Sequence, residues 1–177
     1  MIQRGTMSDT PIQKNIRLTI AYDGTDFHGF QSQRGTGLAT VQETLEDGLS
    51  KLIGEFTPVI GSGRTDSGVH AWGQVVNFLT TSTIQPERYF LALKPHLPNS
   101  ILVRDSKEVP LNFHARFDAV DKTYYYYFYC HRQMSPFYRH YAYHVPYKLD
   151  LAAMKQAAGY FEGRHDFRAF CPVNTPL

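Results

Sequence analysis

Gly61-Ser62-Gly63-Arg64-Thr65-Asp66-Ser67-Gly68-Val69-His70-Ala71 sits between two β-prone runs, Val59-Ile60 before it and Gln74-Val75-Val76-Asn77-Phe78-Leu79 after it. The local reading is strand, tight loop, strand. Glycines permit positive φ and close backbone approach, so another group can come near this loop. If the chain is still extended from Arg64 to Asp66, the two-residue period puts both side chains on one face and Thr65 on the other. A guanidinium beside a carboxylate favours the ionised acid. The expected product is an exposed, charged carboxylate in a glycine-rich pocket, fit for a nucleophile or a base. A glycine-rich hairpin carrying a surface ion pair is the plainer alternative. Phosphate-loop readings fail: Asp66 stands where a dinucleotide fingerprint needs its third glycine, and no Gly-Lys-Ser/Thr follows. Nor do the flanks of Ser62 make a Gly-x-Ser-x-Gly elbow.

Upstream, Ile16, Leu18, Ile20 and Tyr22 alternate with Arg17, Thr19 and Ala21, which predicts a half-buried strand ending at Asp23-Gly24-Thr25. The loop from Phe27 to Gly37 interleaves aromatic, amide and basic groups, including Arg34, as a surface for unstacked bases and phosphate does. A lid over the sheet edge has the same composition. Thr40-x-x-Glu43 is a capping box, Val41, Leu45, Leu49, Leu52 and Ile53 recur at helical spacing, and Gly54 stands at the C-terminal cap. Downstream, a second helix is expected from Pro86 to about Lys94, with Phe90, Leu91 and Leu93 buried, followed by a short strand at Ile101-Leu102-Val103. The order β-α-β-β-α-β predicts an α+β fold with a ferredoxin-like (split βαβ) antiparallel sheet and its helices on one face. Fold alone does not name a function.

Further on, Phe113 to Asp118 mixes His114, Arg116 and Asp118 with aromatics, and Lys122-Thr123 opens the run Tyr124-Tyr125-Tyr126-Tyr127-Phe128-Tyr129. Read as a strand, that run has one core face and one wet or ligand-facing side, both roles suiting tyrosine. Between Cys130 and Pro146 the chain is basic and aromatic, a solvated loop or a surface for phosphate or a partner subunit. Its His140 and His144 gain no third residue at zinc-site spacing, so no metal is expected. Asp150 can cap a last helix with Leu151, Met154, Ala158 and Phe161 inward and Gly163 at its end.

Composition sets bounds on all of this. The 177 residues are 42% hydrophobic and 14% aromatic, enough for a core, and a formal charge of +2 does not by itself argue for nucleic acid. Cys130 and Cys171 lack metal spacing, as idle or buried thiols of a cytosolic protein do. No apolar run has membrane length, and residues 1–14 read as a disordered leader.

Three segments together carry a resemblance. Gly63-Arg64-Thr65-Asp66-x-Gly68-Val69-His70-Ala71, Ala21-Tyr22-Asp23-Gly24-Thr25-x-Phe27-x-Gly29-Phe30-Gln31, and Phe113-His114-Ala115-Arg116-Phe117 with Lys122-Thr123-Tyr124 resemble, in order and spacing, motifs of the tRNA pseudouridine synthase A family. The resemblance runs from about Asn15 onward. It implies a first α+β domain over residues 15–110 carrying the catalytic loop, and the beginning of a second, similar α+β half over 111–177. Family members continue past Leu177 with further strands, a helix and a basic residue, so a truncated chain is expected.

The resemblance also implies an isomerase that converts uridine to pseudouridine in the anticodon stem-loop of tRNA, with no cofactor and no metal, in the cytoplasm and as a homodimer. Asp66 is then the essential catalytic residue, as nucleophile or base. Arg64 orients it or fills the space of a flipped base, Tyr124 stacks on uracil, and Arg34, Arg116 and Lys122 contact the RNA. The alternative is a non-catalytic RNA-binding fragment.

Overall fold

The structure, a computed structural model, describes residues 12–171. Most of the leader expected over 1–14 lies outside the described residues, and Lys14 already pairs with Thr80 at the start of the first strand. The described residues fall into two compact units, divided between Lys122 and Thr123, so the segment 111–122 groups with the first.

The first unit follows the order β1 (Lys14–Tyr22), α1 (Val41–Ile53), β2 (Ile60–Gly61), β3 (Ala71–Thr80), α2 (Tyr89–Ala92) and β4 (Ile101–Val109). Its four strands form one antiparallel sheet in the order β2-β3-β1-β4. Ile16, Leu18, Ile20 and Tyr22 point to one face of β1 and are buried with Val76, Phe78, Ile101 and Val103. Val41, Leu45 and Leu49 from α1, and Tyr89 and Leu93 from the second helical segment, complete this cluster. Each such aliphatic side chain contributes about 1.5–3 kcal/mol by leaving water.

Helix α1 has the bounds its caps predict. Glu43 N–H donates to Thr40 Oγ1 at 3.3 Å, and Gly54 closes the helix at φ 92°. Only half of the capping box forms, because the Glu43 carboxylate instead accepts from Ser32 Oγ at 2.7 Å and Gln33 N–H at 2.6 Å. The second helix departs from expectation. Pro86–Arg88 and Lys94–His96 are 3-10 turns around a four-residue α2. Tyr89 and Leu93, one helical turn apart, are the buried pair, and Phe90 and Leu91 face water.

On the sheet's other face, two buried amides hold the segment that follows β4. Asn77 Nδ2 donates to Asn15 Oδ1 at 2.9 Å, and Asn77 Oδ1 accepts from Ala115 N–H at 2.9 Å. Asn15 Nδ2 donates to the carbonyls of Pro110 at 3.1 Å and Phe113 at 2.9 Å. Every polar atom of this anchor is satisfied, as burial requires.

The second unit contains a parallel pair, β5 (Phe128–Cys130) with β6 (Tyr143–Val145), and α3 (Leu151–Gly159). Several expectations fail here. The tyrosine run is not one strand with a core side: only its end pairs, and Tyr124, Tyr125, Tyr126 and Tyr127 are all exposed. A strand needs a partner ladder and a covering layer, and β6 offers three residues of ladder while no layer among the described residues covers either face. Likewise α3 starts at its Asp150 cap but buries no side chain, and it ends at Gly159 rather than Gly163. Both cysteines are exposed free thiols, so of the idle and buried alternatives the buried one fails. Arg168 pairs with Asp166 and holds its carboxyl below the usual range. Among the described residues no helix is long and apolar enough to cross a membrane.

Candidate active site

The loop between β2 and β3 is clamped by the loop that follows β1. Phe30 N–H donates to Thr65 O at 3.0 Å, and Gly68 N–H donates to Phe27 O at 3.0 Å. Ser67 Oγ donates to Phe27 O at 3.3 Å, and Val69 N–H closes a turn onto Asp66 O at 3.2 Å. Backbone contact this close demands missing side chains. A Cβ on Gly24 would overlap the Val69 carbonyl, and one on Gly29, which has φ +88°, would lie 2.6 Å from Thr65 O. At the mouth of the clamp, His70 Nδ1 lies 3.0 Å from Asp23 Oδ1 and 3.1 Å from Gly24 N. Unprotonated, that nitrogen accepts from Gly24 N–H; protonated, it donates to Asp23.

Thr65 turns inward, as the two-residue period predicts. Its Oγ1 lies 2.8 Å from Tyr22 OH, which also donates to Gln74 Oε1 at 2.8 Å. Gln74 Nε2 in turn donates to Gly63 O at 2.7 Å. Burial raises the Tyr22 phenol above its ordinary pKa, partly opposed by the Thr65 hydrogen bond. This chain of three side chains fixes the loop from beneath and leaves Arg64 and Asp66 exposed on the other side. The two do not form the ion pair that the sequence suggests among the described residues. Alternate residues of an extended chain stand about 6.6 Å apart, so sharing a face does not enforce contact.

Beside the loop is a cleft of about 930 Å³, lined in part by Arg64, His114, Arg116 and Lys122, with Gln31 and Ser62. Thus Arg64, Arg116 and Lys122 are brought together. Lys122 lies over Gly63, whose missing side chain makes room for the lysine Cε. Asp66 itself is not among the lining residues and stands two positions beyond Arg64 on the clamped turn. His114, which the sequence places in the Phe113–Asp118 motif without a role, is part of this wall. Arg116 N–H donates to its Nδ1 at 3.3 Å and the ring stacks 4.2 Å from Phe117.

Arg34 is engaged elsewhere. Its Nη2 donates to Glu46 Oε2 at 2.6 Å, which raises the guanidinium above its ordinary pKa, and it lies 4.9 Å from the Phe56 ring centroid. Glu46 is 3% exposed, and its other oxygen accepts from Gln42 Nε2 and Val59 N–H. A phosphate would have to compete with this buried carboxylate for Arg34. Tyr124 belongs to the second unit, where it is 74% exposed. Among the described residues no group of three or more His, Cys, Asp or Glu could hold a metal ion.

A protein-family model described as tRNA pseudouridine synthase matches residues 18–118, which include the clamped loop and most of the cleft wall. The chain is 47% identical over 157 residues to tRNA pseudouridine synthase A of Acetivibrio thermocellus, covering 89% of this chain and 64% of that protein. It is 48% identical over 158 residues to the protein of the same name from Caldicellulosiruptor saccharolyticus, with 89% and 64% covered. With that from Bacillus pumilus it shares 46% identity over 164 residues, with 92% and 66% covered. The chain therefore spans about two thirds or slightly less of the length of these relatives. On the matched motifs and their extent, the chain belongs to the tRNA pseudouridine synthase family.

Proposed function

We propose that this chain isomerises uridine to pseudouridine in tRNA, with Asp66 as its essential carboxylate. The observation that carries the reading is an exposed acid on a rigid turn, two residues from an arginine that lines a basic cleft. In the reaction the bond from ribose C1′ to uracil N1 breaks, the base turns, and C1′ joins C5. The C5 proton leaves and N1 regains one, so nothing is oxidised or hydrolysed. An ionised Asp66 attacks C1′, as a retaining glycosidase does, or removes a ribose proton to give a glycal. Exposing the target means swinging the nucleotide out of its stack, with Arg64 filling the vacated space or orienting Asp66. Arg116 and Lys122 supply phosphate contacts along the cleft, and Tyr124 stacks on the uracil. The anticodon stem-loop as target, assembly as a homodimer and a cytoplasmic setting belong to the same proposal, on the strength of the family.

The test is pseudouridine formation on unmodified tRNA, read by mass spectrometry. Asp66→Asn is expected to lower the rate by about 10⁴-fold or more, in the range seen when an essential catalytic side chain is removed, while tRNA binding survives. Full activity in that variant would end the proposal. A second reading, an RNA-binding unit without turnover, draws on the exposed second unit, where Tyr124 lacks a covered setting. It is favoured if the unmutated chain binds tRNA and makes no product.

A further inference from the structure

Two bulges interrupt the sheet at one level, and each singles out one side chain. Between β1 and β3, Ile20 pairs with Gln74 and Tyr22 with Ala71, so Trp72 and Gly73 together oppose Ala21. Between β1 and β4, Thr19 pairs with Asp105 and Ile20 with Val103, which leaves Arg104 as the extra residue. Bulges re-aim side chains and gather beside active sites. These two are linked across β1: Arg104 Nη1 donates to Trp72 O at 2.7 Å. Trp72 comes directly after the clamped loop. Its neighbour Ala71 packs on the core, so the indole faces away from it and is 69% exposed. Leu102, between the buried Ile101 and Val103, faces the same way and is 57% exposed. The ground between is low, made by Ala21, Thr19 and Gly73.

A flat ring with a cation alongside and small residues around it fits a nucleobase and its phosphate better than it fits a protein core. Arg104 and Lys107 form no ion pairs among the described residues, while Asp105 is paired with Arg17 at 3.3 Å, so this face carries surplus positive charge. We propose that Trp72, with Arg104 beside it, is a stacking platform for an unpaired RNA base other than the uridine undergoing reaction. It rests on the reading of the chain as a tRNA-acting protein and adds a second point of purchase on that substrate.

Trp72 is the one tryptophan in the sequence, so selectively excited emission reports this position alone. The experiment titrates the full chain with end-labelled unmodified tRNA, following label anisotropy and tryptophan emission together. Emission is expected to fall in step with binding, and to do so equally in Asp66→Asn. A fully paired RNA duplex is expected to leave emission unchanged. Trp72→Ala is expected to weaken tRNA binding about 5- to 150-fold, the worth of one base–ring stack, and Trp72→Phe to retain most of it. Binding that saturates with constant emission overturns the platform and leaves the catalytic proposal standing, as does a Trp72→Ala chain that melts normally and binds equally well. No tRNA binding at all overturns both.

Discussion

Tyr22 shows how much a single side chain can fix without touching solvent chemistry. Its hydroxyl joins Thr65 to Gln74, and Gln74 reaches Gly63. Because the folded protein raises its pKa, the protonated phenol adds stability that is fully present below about pH 10 and is lost as pH rises through the folded value. Urea midpoints should therefore fall more steeply above pH 10 in the unmutated chain than in Tyr22→Phe. At neutral pH that variant should lose about 1–3 kcal/mol by orphaning its partners, read from the same urea curves. Tyr89→Phe should do the opposite, matching or exceeding the parent's melting temperature, since the buried Tyr89 hydroxyl has no partner among the described residues. The outward Asp66 and inward Thr65 were legible in the sequence because side chains alternate along extended backbone. Tyr22, Gln74 and the two asparagines were not, because their spacing is that of ordinary strand residues and their partners come from distant segments.

Helix α1 was legible from Thr40 to Gly54 because its signals are local: a cap, a regular apolar stripe, a glycine stop. Leu45→Ala should cost about 2–5 kcal/mol in chemical denaturation, as a fully buried leucine in a packed cluster does. The segment after Pro86 was harder. Phe90 and Leu91 are as apolar as Leu93, and only the tertiary fit of Tyr89 against Phe78, 5.3 Å between centroids, decides which side is inside. The tyrosine run misled for a related reason: β-propensity says a residue suits a pleated surface, and pairing and cover decide whether one forms. On α1's polar side, Glu46 bonds Arg34, Gln42 and the Val59 backbone, so the helix also sets the approach to β2. Arg34→Ala, which leaves the buried Glu46 carboxylate to Gln42 and the Val59 backbone alone, should lower the midpoint of thermal or urea unfolding, and a role confined to phosphate contact would leave that midpoint unchanged.

The two compact units differ sharply in what they bury. Val145 is the one buried hydrophobic residue among those described beyond Lys122, whereas the first unit holds a continuous cluster. Amide hydrogen exchange should consequently be fastest across 123–171 and slowest in β1, since local opening follows the apolar contacts available to resist it. Binding of tRNA should weaken with salt: the phosphate contacts of Arg116 and Lys122 contribute about −1.4 to the log–log slope, and Lys122→Ala should reduce its size by about 0.7.

The wall bearing His114 and Arg116 is fastened by Asn15 and Asn77, and neither amide carries charge or titrates. Ionic strength and acidity therefore act on the guest and leave this fastening alone. A salt titration of affinity at one pH then reads attraction between RNA and cations, with the two amides holding throughout.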